Sequence, residues 1–191
     1  MPEIYFTSDL HFGHRAVLHY DDRPFHSVEE MDAEIIKRWN NKVKKYDLVY
    51  ILGDISWYNQ DKTIELIKQL NGTLYLIKGN HDRISPKLRK CFKEIWDYKE
   101  IKVDGRDVIL CHYPIPCFNK HFYGSYMLYG HVHNSHEWNY MKHFKREMEA
   151  IDAPCNMFNV GCMIWDYEPV TLNEIIAATS KNKKNNGFMQ I

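Results

Sequence analysis

Leu74-Tyr75-Leu76-Ile77-Lys78-Gly79-Asn80-His81-Asp82 is the stretch from which the fold can be read. Leu74 to Ile77 is apolar and β-prone, which predicts a strand. The strand opens directly into a polar cluster rich in turn formers. Just before it, Asn71-Gly72 stops a helix predicted over Asp61 to Leu70. Further back, Leu48 to Leu52 and Ile4 to Thr7 read as two earlier apolar strands. Between these two, Ser27-Val28-Glu29-Glu30 matches a capping box. Val28, Met31, Ile35, Trp39 and Val43 then recur at helical spacing, predicting an amphipathic helix to about Lys45. The order strand, helix, strand, helix, strand predicts an α/β fold with a largely parallel sheet.

Downstream the pattern changes. Lys99 to Val103 and Asp107 to Cys111 flank Asp104-Gly105, a strong hairpin signal. Tyr126 to Tyr129 and Met157 to Val160 predict further short strands, and Leu172 to Ala178 a short closing helix. The second half is therefore mainly strands, a second sheet packed on the first. Residues 1–179 read as one domain, and 180–191 as a loose polar tail carrying Lys181, Lys183 and Lys184.

The 191 residues fit a single domain, and 45% hydrophobic with 26% charged residues argues against disorder. Lys plus Arg and Asp plus Glu are both 25, so the formal net charge is zero. That balance counts against a protein devoted to non-specific binding of nucleic acid or anionic membrane. No apolar run is long enough to span a bilayer. The Met1–Phe6 start lacks a secretory signal pattern. Five Cys with no C-x-x-C pair read as reduced thiols, hence a cytoplasmic location.

Five clusters carry the chemistry: Asp9-Leu10-His11, Gly53-Asp54, Gly79-Asn80-His81-Asp82, Cys111-His112 and Gly130-His131-Val132-His133. Each directly follows an apolar strand, and the carboxyl ends of strands line the ligand crevice of α/β sheets. Asp9 with His11, and His131 with His133, are two apart, so extended chain would aim each pair at one volume. The set is oxygen and nitrogen without thiolate, which suits manganese, iron, zinc or similar ions. It is too large for one tetrahedral zinc, and two bridged ions suit phosphoryl hydrolysis. Singly, D-x-H or Gly-Asp is a weak signal, and Gly-Asn-His-Asp alone could be only a turn. The order and shared placement of all five are specific.

The ordered set D-x-H, G-D, G-N-H-D, H and G-H-x-H closely resembles the calcineurin-like metallophosphoesterases. Ser8-Asp9-Leu10-His11-Phe12-Gly13-His14 followed by Arg23-Pro24-Phe25 looks like a small bacterial or phage-type branch. The resemblance implies a four-layer α/β/β/α sandwich of two mixed β-sheets flanked by helices. It implies two divalent metal ions, manganese first, with iron, zinc, nickel or cobalt as alternatives. Asp9, His11 and His133 look like ligands of one ion, Asn80, His112 and His131 of the other, with Asp54 bridging. His81 looks like the catalytic histidine that assists the leaving group, with Asp82 orienting it. A bridging hydroxide would attack a phosphomonoester or phosphodiester. Val132 stands where many members have Thr and is not a ligand.

Substrate contacts are open to two readings. His14, Arg15, His19 and Arg23 could form a phosphate-binding rim, Arg matching phosphate bidentately, or a solvated loop before Pro24. Residues 14–26 show no helical or strand pattern. Tyr113, Phe118, Phe122 and Tyr123 could stack a nucleobase or pack in a core. Trp138, Met141, Phe144 and Met148 lie at helical spacing and read as a packing stripe. The basic clusters Lys42 to Lys45, Lys87 to Lys93 and Lys142 to Arg146 read as solvated faces. The expected partner is a small phosphorylated substrate, nucleotide-like in preference to a phosphoprotein. Nucleic acid is not favoured, and a membrane is not expected. The alternatives are a metal-dependent nuclease and a non-catalytic metal-binding scaffold.

Overall fold

Alternate residues along the strands face different cores, and this alternation builds the layers. The structure, a computed structural model, describes residues 2–184, the side chains from 180 onward excepted. Strands β1 (Ile4–Thr7), β2 (Leu48–Ile51), β3 (Thr73–Ile77) and β4 (Ile95–Trp96) run parallel. A short β9 (Val170–Thr171) pairs antiparallel with β1, giving the order β4-β3-β2-β1-β9. The second sheet, β5-β6-β7-β8, holds the antiparallel hairpin β5 (Tyr98–Val103) and β6 (Arg106–Cys111). Strands β7 (Tyr126–Tyr129) and β8 (Met157–Asn159) extend it in parallel.

Both sheets are thus mixed, and three cores separate four layers. Tyr5, Val49, Ile51, Leu74 and Leu76 meet Met31, Ile35 and Trp39 of helix α2 (Val28–Lys42) and Leu66 and Ile67 of α3 (Gln60–Ile67). On the opposite face Phe6, Tyr50, Leu52 and Ile77 meet Val108, Leu110, Leu128 and Phe158 between the sheets. Ile109, Met127, Tyr129 and Met157 face outward onto Trp138, with Met141 and Phe144 beside it, on helix α5 (His136–Ala150). Full burial of such a side chain contributes about 1.5–3 kcal/mol, so each interface is strongly held. The expected sandwich and the packing stripe on α5 are both present. Met148 is not among the residues of that core.

Boundaries moved for local reasons. Helix α2 stops at Lys42 because Val43 is already extended. The Ser27 hydroxyl accepts from Glu30 N (3.1 Å), but Glu30 reaches past the cap to accept from His26 N (2.7 Å). Helix α3 starts one residue early, capped by Asn59, whose side chain accepts from Lys62 N (3.0 Å). Two one-turn helices, α1 (Val17–Tyr20) and α4 (Pro86–Arg89), were not foreseen; four residues carry no period to read. Helix α6 (Leu172–Lys184) runs past the expected Ala178, its Leu172 and Ile175 buried between the sheets. The rest of the expected tail, from 185, lies outside the described residues. Among the described residues no helix is long and apolar enough to cross a membrane.

Candidate metal centre

The five clusters converge at the strand ends. Ser8 leaves β1 and bridges to Gly161 beyond β8, which joins the two sheets where the site forms. Asp9 N then donates to Gly53 O and His11 N to Asp54 O (both 3.0 Å), laying the first loop along the second. Asp9, His11, Asp54, His131 and His133 all hold positive φ, between 46° and 70°. Non-glycine residues in this left-handed region cost on the order of 1–3 kcal/mol each and cluster at functional sites. Asp9 and His11 still share one volume, as expected, but through left-handed rather than extended backbone. The expectation for the H-x-H pair is corrected. His131 and His133 point into different halves of the centre rather than one volume.

One half comprises Asp9, His11, Asp54 and His133, whose ligand atoms all lie within 4.8 Å of one another. His11 Nε2 stands 3.1 Å from His133 Nε2, and His133 Nε2 is 3.5 Å from Asp9 Oδ1. In the other half, Asn80 Oδ1 is 2.9 Å from His112 Nε2 and 3.0 Å from His131 Nδ1. Asp54 Oδ2 lies between the halves, 3.7 Å from His11 Nε2 and 3.6 Å from His112 Nε2. All seven sequence-predicted ligands thus meet in one place.

The tautomers test whether this donor set fits cations. His112 Nδ1 lies 2.7 Å from the Leu52 carbonyl, which can only accept, so Nδ1 carries the proton. Its Nε2 lone pair then faces the Asn80 carbonyl oxygen, another acceptor. His133 Nδ1 likewise donates to the Asp21 carboxylate (2.9 and 3.0 Å), leaving Nε2 bare toward His11. His11 Nδ1 is buried with no partner among the described residues. The His112 Nε2 lone pair facing the Asn80 oxygen, and the His133 Nε2 lone pair beside Asp9, are arrangements that a cation would stabilise, and the oxygen and imidazole set suits first-row divalent ions.

Burial pushes the His11 imidazole far below its ordinary range, with the neighbouring His133 charge adding to it. Burial and His112 lower His131. His133 behaves oppositely: burial pulls it down, but the hydrogen bond to Asp21 and the charges of Asp9 and Asp21 raise it overall. Burial raises the Asp54 carboxyl. Close packing also explains two glycines: a Cβ on Gly79 would collide with the Asp54 carboxylate, and one on Gly130 with Ser8 and Asp9.

Several expectations are corrected. Asp82 does not orient His81. Its oxygens accept from Asp54 N (2.9 Å), Ile55 N (3.0 Å) and Gly79 N (2.9 Å), fixing the loop that carries the shared carboxylate. Arg23 is no phosphate rim. Its side chain is fully buried and donates to Asp9 O (2.8 Å), Leu10 O (2.9 Å) and Asp21 Oδ2 (2.9 and 3.0 Å). Arg15 and His19 are exposed away from these contacts. His14 does reach the site, stacked on Trp57 at 4.0 Å and 6°. His81 sits at the rim, 42% exposed, with Nε2 3.9 Å from Asp54 Oδ2 and its backbone N donating to Asp54 Oδ1 (3.0 Å).

Sequence reasoning missed Asp21 and Trp57. Asp21 lies in the segment without period, so nothing flagged it. Trp57 follows Gly53-Asp54 by three residues, next to Tyr58, and an aromatic pair there carries no ligand signal. Of the aromatic stretch, Tyr113 lies against His131 (4.6 Å), Phe118 is buried, and Phe122 and Tyr123 are exposed. Lys42 and Lys87 are engaged by Glu174 and Asp61, as solvated faces would be.

Comparison with known proteins agrees with this geometry. The sequence profile of a family described as calcineurin-like phosphoesterase matches residues 2–159. An uncharacterised protein of Methanocaldococcus jannaschii is 35% identical over 185 residues, 96% of this chain and 94% of its own. The gene 66 protein of Mycobacterium phage D29 is 33% identical over 132 residues, 60% of this chain and 65% of its own. The crystal structure of a protein of unknown function from Aquifex aeolicus superposes with a TM-score of 0.70 at 25% identity. That match covers 93% of this chain and 100% of the other.

Proposed function

This chain belongs to the calcineurin-like phosphoesterase family, and from that premise we propose that it hydrolyses a phosphomonoester or phosphodiester using two divalent ions. The observation that carries the reading is Asp54 Oδ2, 3.7 Å from His11 Nε2 of one half and 3.6 Å from His112 Nε2 of the other. Asp9, His11 and His133 would hold one ion, and Asn80, His112 and His131 the second, with Asp54 shared. Manganese is the first choice, and iron, zinc, nickel or cobalt would suit the same donors. Two such ions supply Lewis acidity for the phosphoryl oxygens and a water acidic enough to act as nucleophile.

The chain's own residues supply the rest. Asp82 and the His81 backbone hold the Asp54 carboxylate still. His81 presents an exposed imidazole beside the centre, placed to give a proton at Nε2 to the departing oxygen. The Trp57 indole lies 4.5 Å from that ring and limits its rotation. All five cysteines are unpaired thiols, which supports a reducing, cytoplasmic setting.

The test is protein stripped of metal, then given manganese, nickel, zinc or magnesium with p-nitrophenyl phosphate or bis-p-nitrophenyl phosphate. Turnover that needs the added metal and is lost in Asp54→Ala is expected. Two bound ions without turnover of either ester, or no bound metal at all, would overturn it.

A further inference from the structure

A cavity of about 500 Å³ opens beside Asn80 and His81. That is within the range of small-molecule sites and far more than a phosphoryl group needs. One wall comes from the loop after β2, with Trp57 and Tyr58; the other comes from the loop after β3, with His81 and Arg83. Trp57 is 48% exposed although His14 stacks on it and the His81 ring lies tilted 4.5 Å away, so its plane is fixed while the part of the indole beyond these rings stays open.

Arg83 is the second observation. Its side chain is exposed and makes no hydrogen bond or ion pair among the described residues, whereas nearby Lys87 is engaged by Asp61. Its backbone is held. The Gln60 side-chain amide donates to Arg83 O and accepts from Ser85 N (3.2 Å). A guanidinium on a pinned loop faces the same cavity as the indole. Indole and imidazole surfaces favour a planar π-system, and a guanidinium favours in-plane acceptors such as ring nitrogens and carbonyls. A nucleobase combines both.

We infer that this cavity is a nucleoside subsite, and that the substrate is a nucleotide ester whose base lies along Trp57 with its acceptors on Arg83. The inference rests on the phosphoesterase reading, because it places the base beside the reacting phosphoryl group.

Competition separates the two. With bis-p-nitrophenyl phosphate as reporter and the supporting metal present, inhibition by adenosine 5′-monophosphate, ribose 5-phosphate and inorganic phosphate is compared. The adenine compound is expected to inhibit at least ~10-fold more tightly than ribose 5-phosphate, since stacking one base on an aromatic side chain contributes about 1–3 kcal/mol. Trp57→Ala and Arg83→Ala should each bring that ratio toward one. Equal inhibition by the two compounds, or a preference that survives both substitutions, overturns the subsite. If no ester is turned over, the phosphoesterase reading fails by itself. The subsite is then read by calorimetric titration of the manganese-loaded protein with the same compounds, against the same criteria.

Discussion

The two halves of the metal centre are built differently. Asp9 and His11 are buried, and the half they form with His133 is braced from behind. The Arg23 guanidinium ties the carbonyls of Asp9 and Leu10 to the Asp21 carboxylate, and Asp21 in turn orients His133. One strap thus joins ligands 124 positions apart in the chain (133 − 9). Asn80 and His131, in contrast, lie near the surface, and His112 is held by a backbone carbonyl alone. A carboxylate behind a ligating histidine fixes its tautomer and raises its basicity, so the braced half should bind its ion first and more tightly.

The largest expected effect is on the strap itself. Arg23→Met leaves Asp21 with only His133 and two carbonyls without their donor, and breaking a buried ion pair typically costs about 3–5 kcal/mol. Urea unfolding should show that loss, while Arg15→Met, on the exposed neighbour, should change little. Equal effects from the two would deny that the halves differ.

A second test bears on Asp32 of α2, which accepts from Gly13 N (3.2 Å) and so supports the same loop. Burial raises its carboxyl to about 6, outweighing the bonds from Gly13 and Tyr58. A carboxyl raised on folding contributes stability that is complete below the unfolded value near pH 4. That contribution is lost as pH rises through about 6. Asp32→Asn has no such loss, so between pH 4 and pH 7 it should gain stability relative to the parent, by about 1–2 kcal/mol once solvent screening is allowed for. Denaturant titrations across that window would show a flat difference if the brace does not involve a buried carboxyl.

The smallest expected effect is the most selective. Asp21→Asn keeps the shape but removes the charge behind His133 and opposite Arg23, so beside the stability lost with that buried pair it should weaken one of two binding steps by ~10–100-fold. Asn80→Ala should weaken the other. Calorimetric metal titration of the two variants would sharpen the contrast if different steps move, and would dissolve it if the same one does.

The parts of this centre differ in how far they can be read from sequence. Ligands at strand ends are legible because an apolar strand marks where the chain emerges, and Gly53, Gly79 and Gly130 mark where it turns. The layers are legible from alternation such as Val49 and Ile51 against Tyr50 and Leu52. Asp21 and Arg23 are not, because the chain from 14 to 26 follows neither period. A buried Arg beside Pro24 looks the same in sequence as a solvated one. The role of Asp82 is hidden for another reason: adjacency to His81 suggests a side-chain partner, while the fold turns the carboxylate toward backbone N–H groups. The left-handed conformations of His131 and His133 break a spacing rule that holds only for extended chain, sending the two rings into different halves.

The Ser8–Gly161 bridge and the Arg23 strap also set an order of events during synthesis. A chain leaving the ribosome presents Asp9, His11 and Asp54 long before His133 exists. Neither half has its full donor set until the second sheet has been made and docked. Domains fold as units as the chain emerges, so a nascent fragment of this protein is a poor trap for metal. On the proposed two-ion reading, ion capture would belong to the final step of maturation, and the finished sandwich, rather than any early segment, would decide which metal is kept.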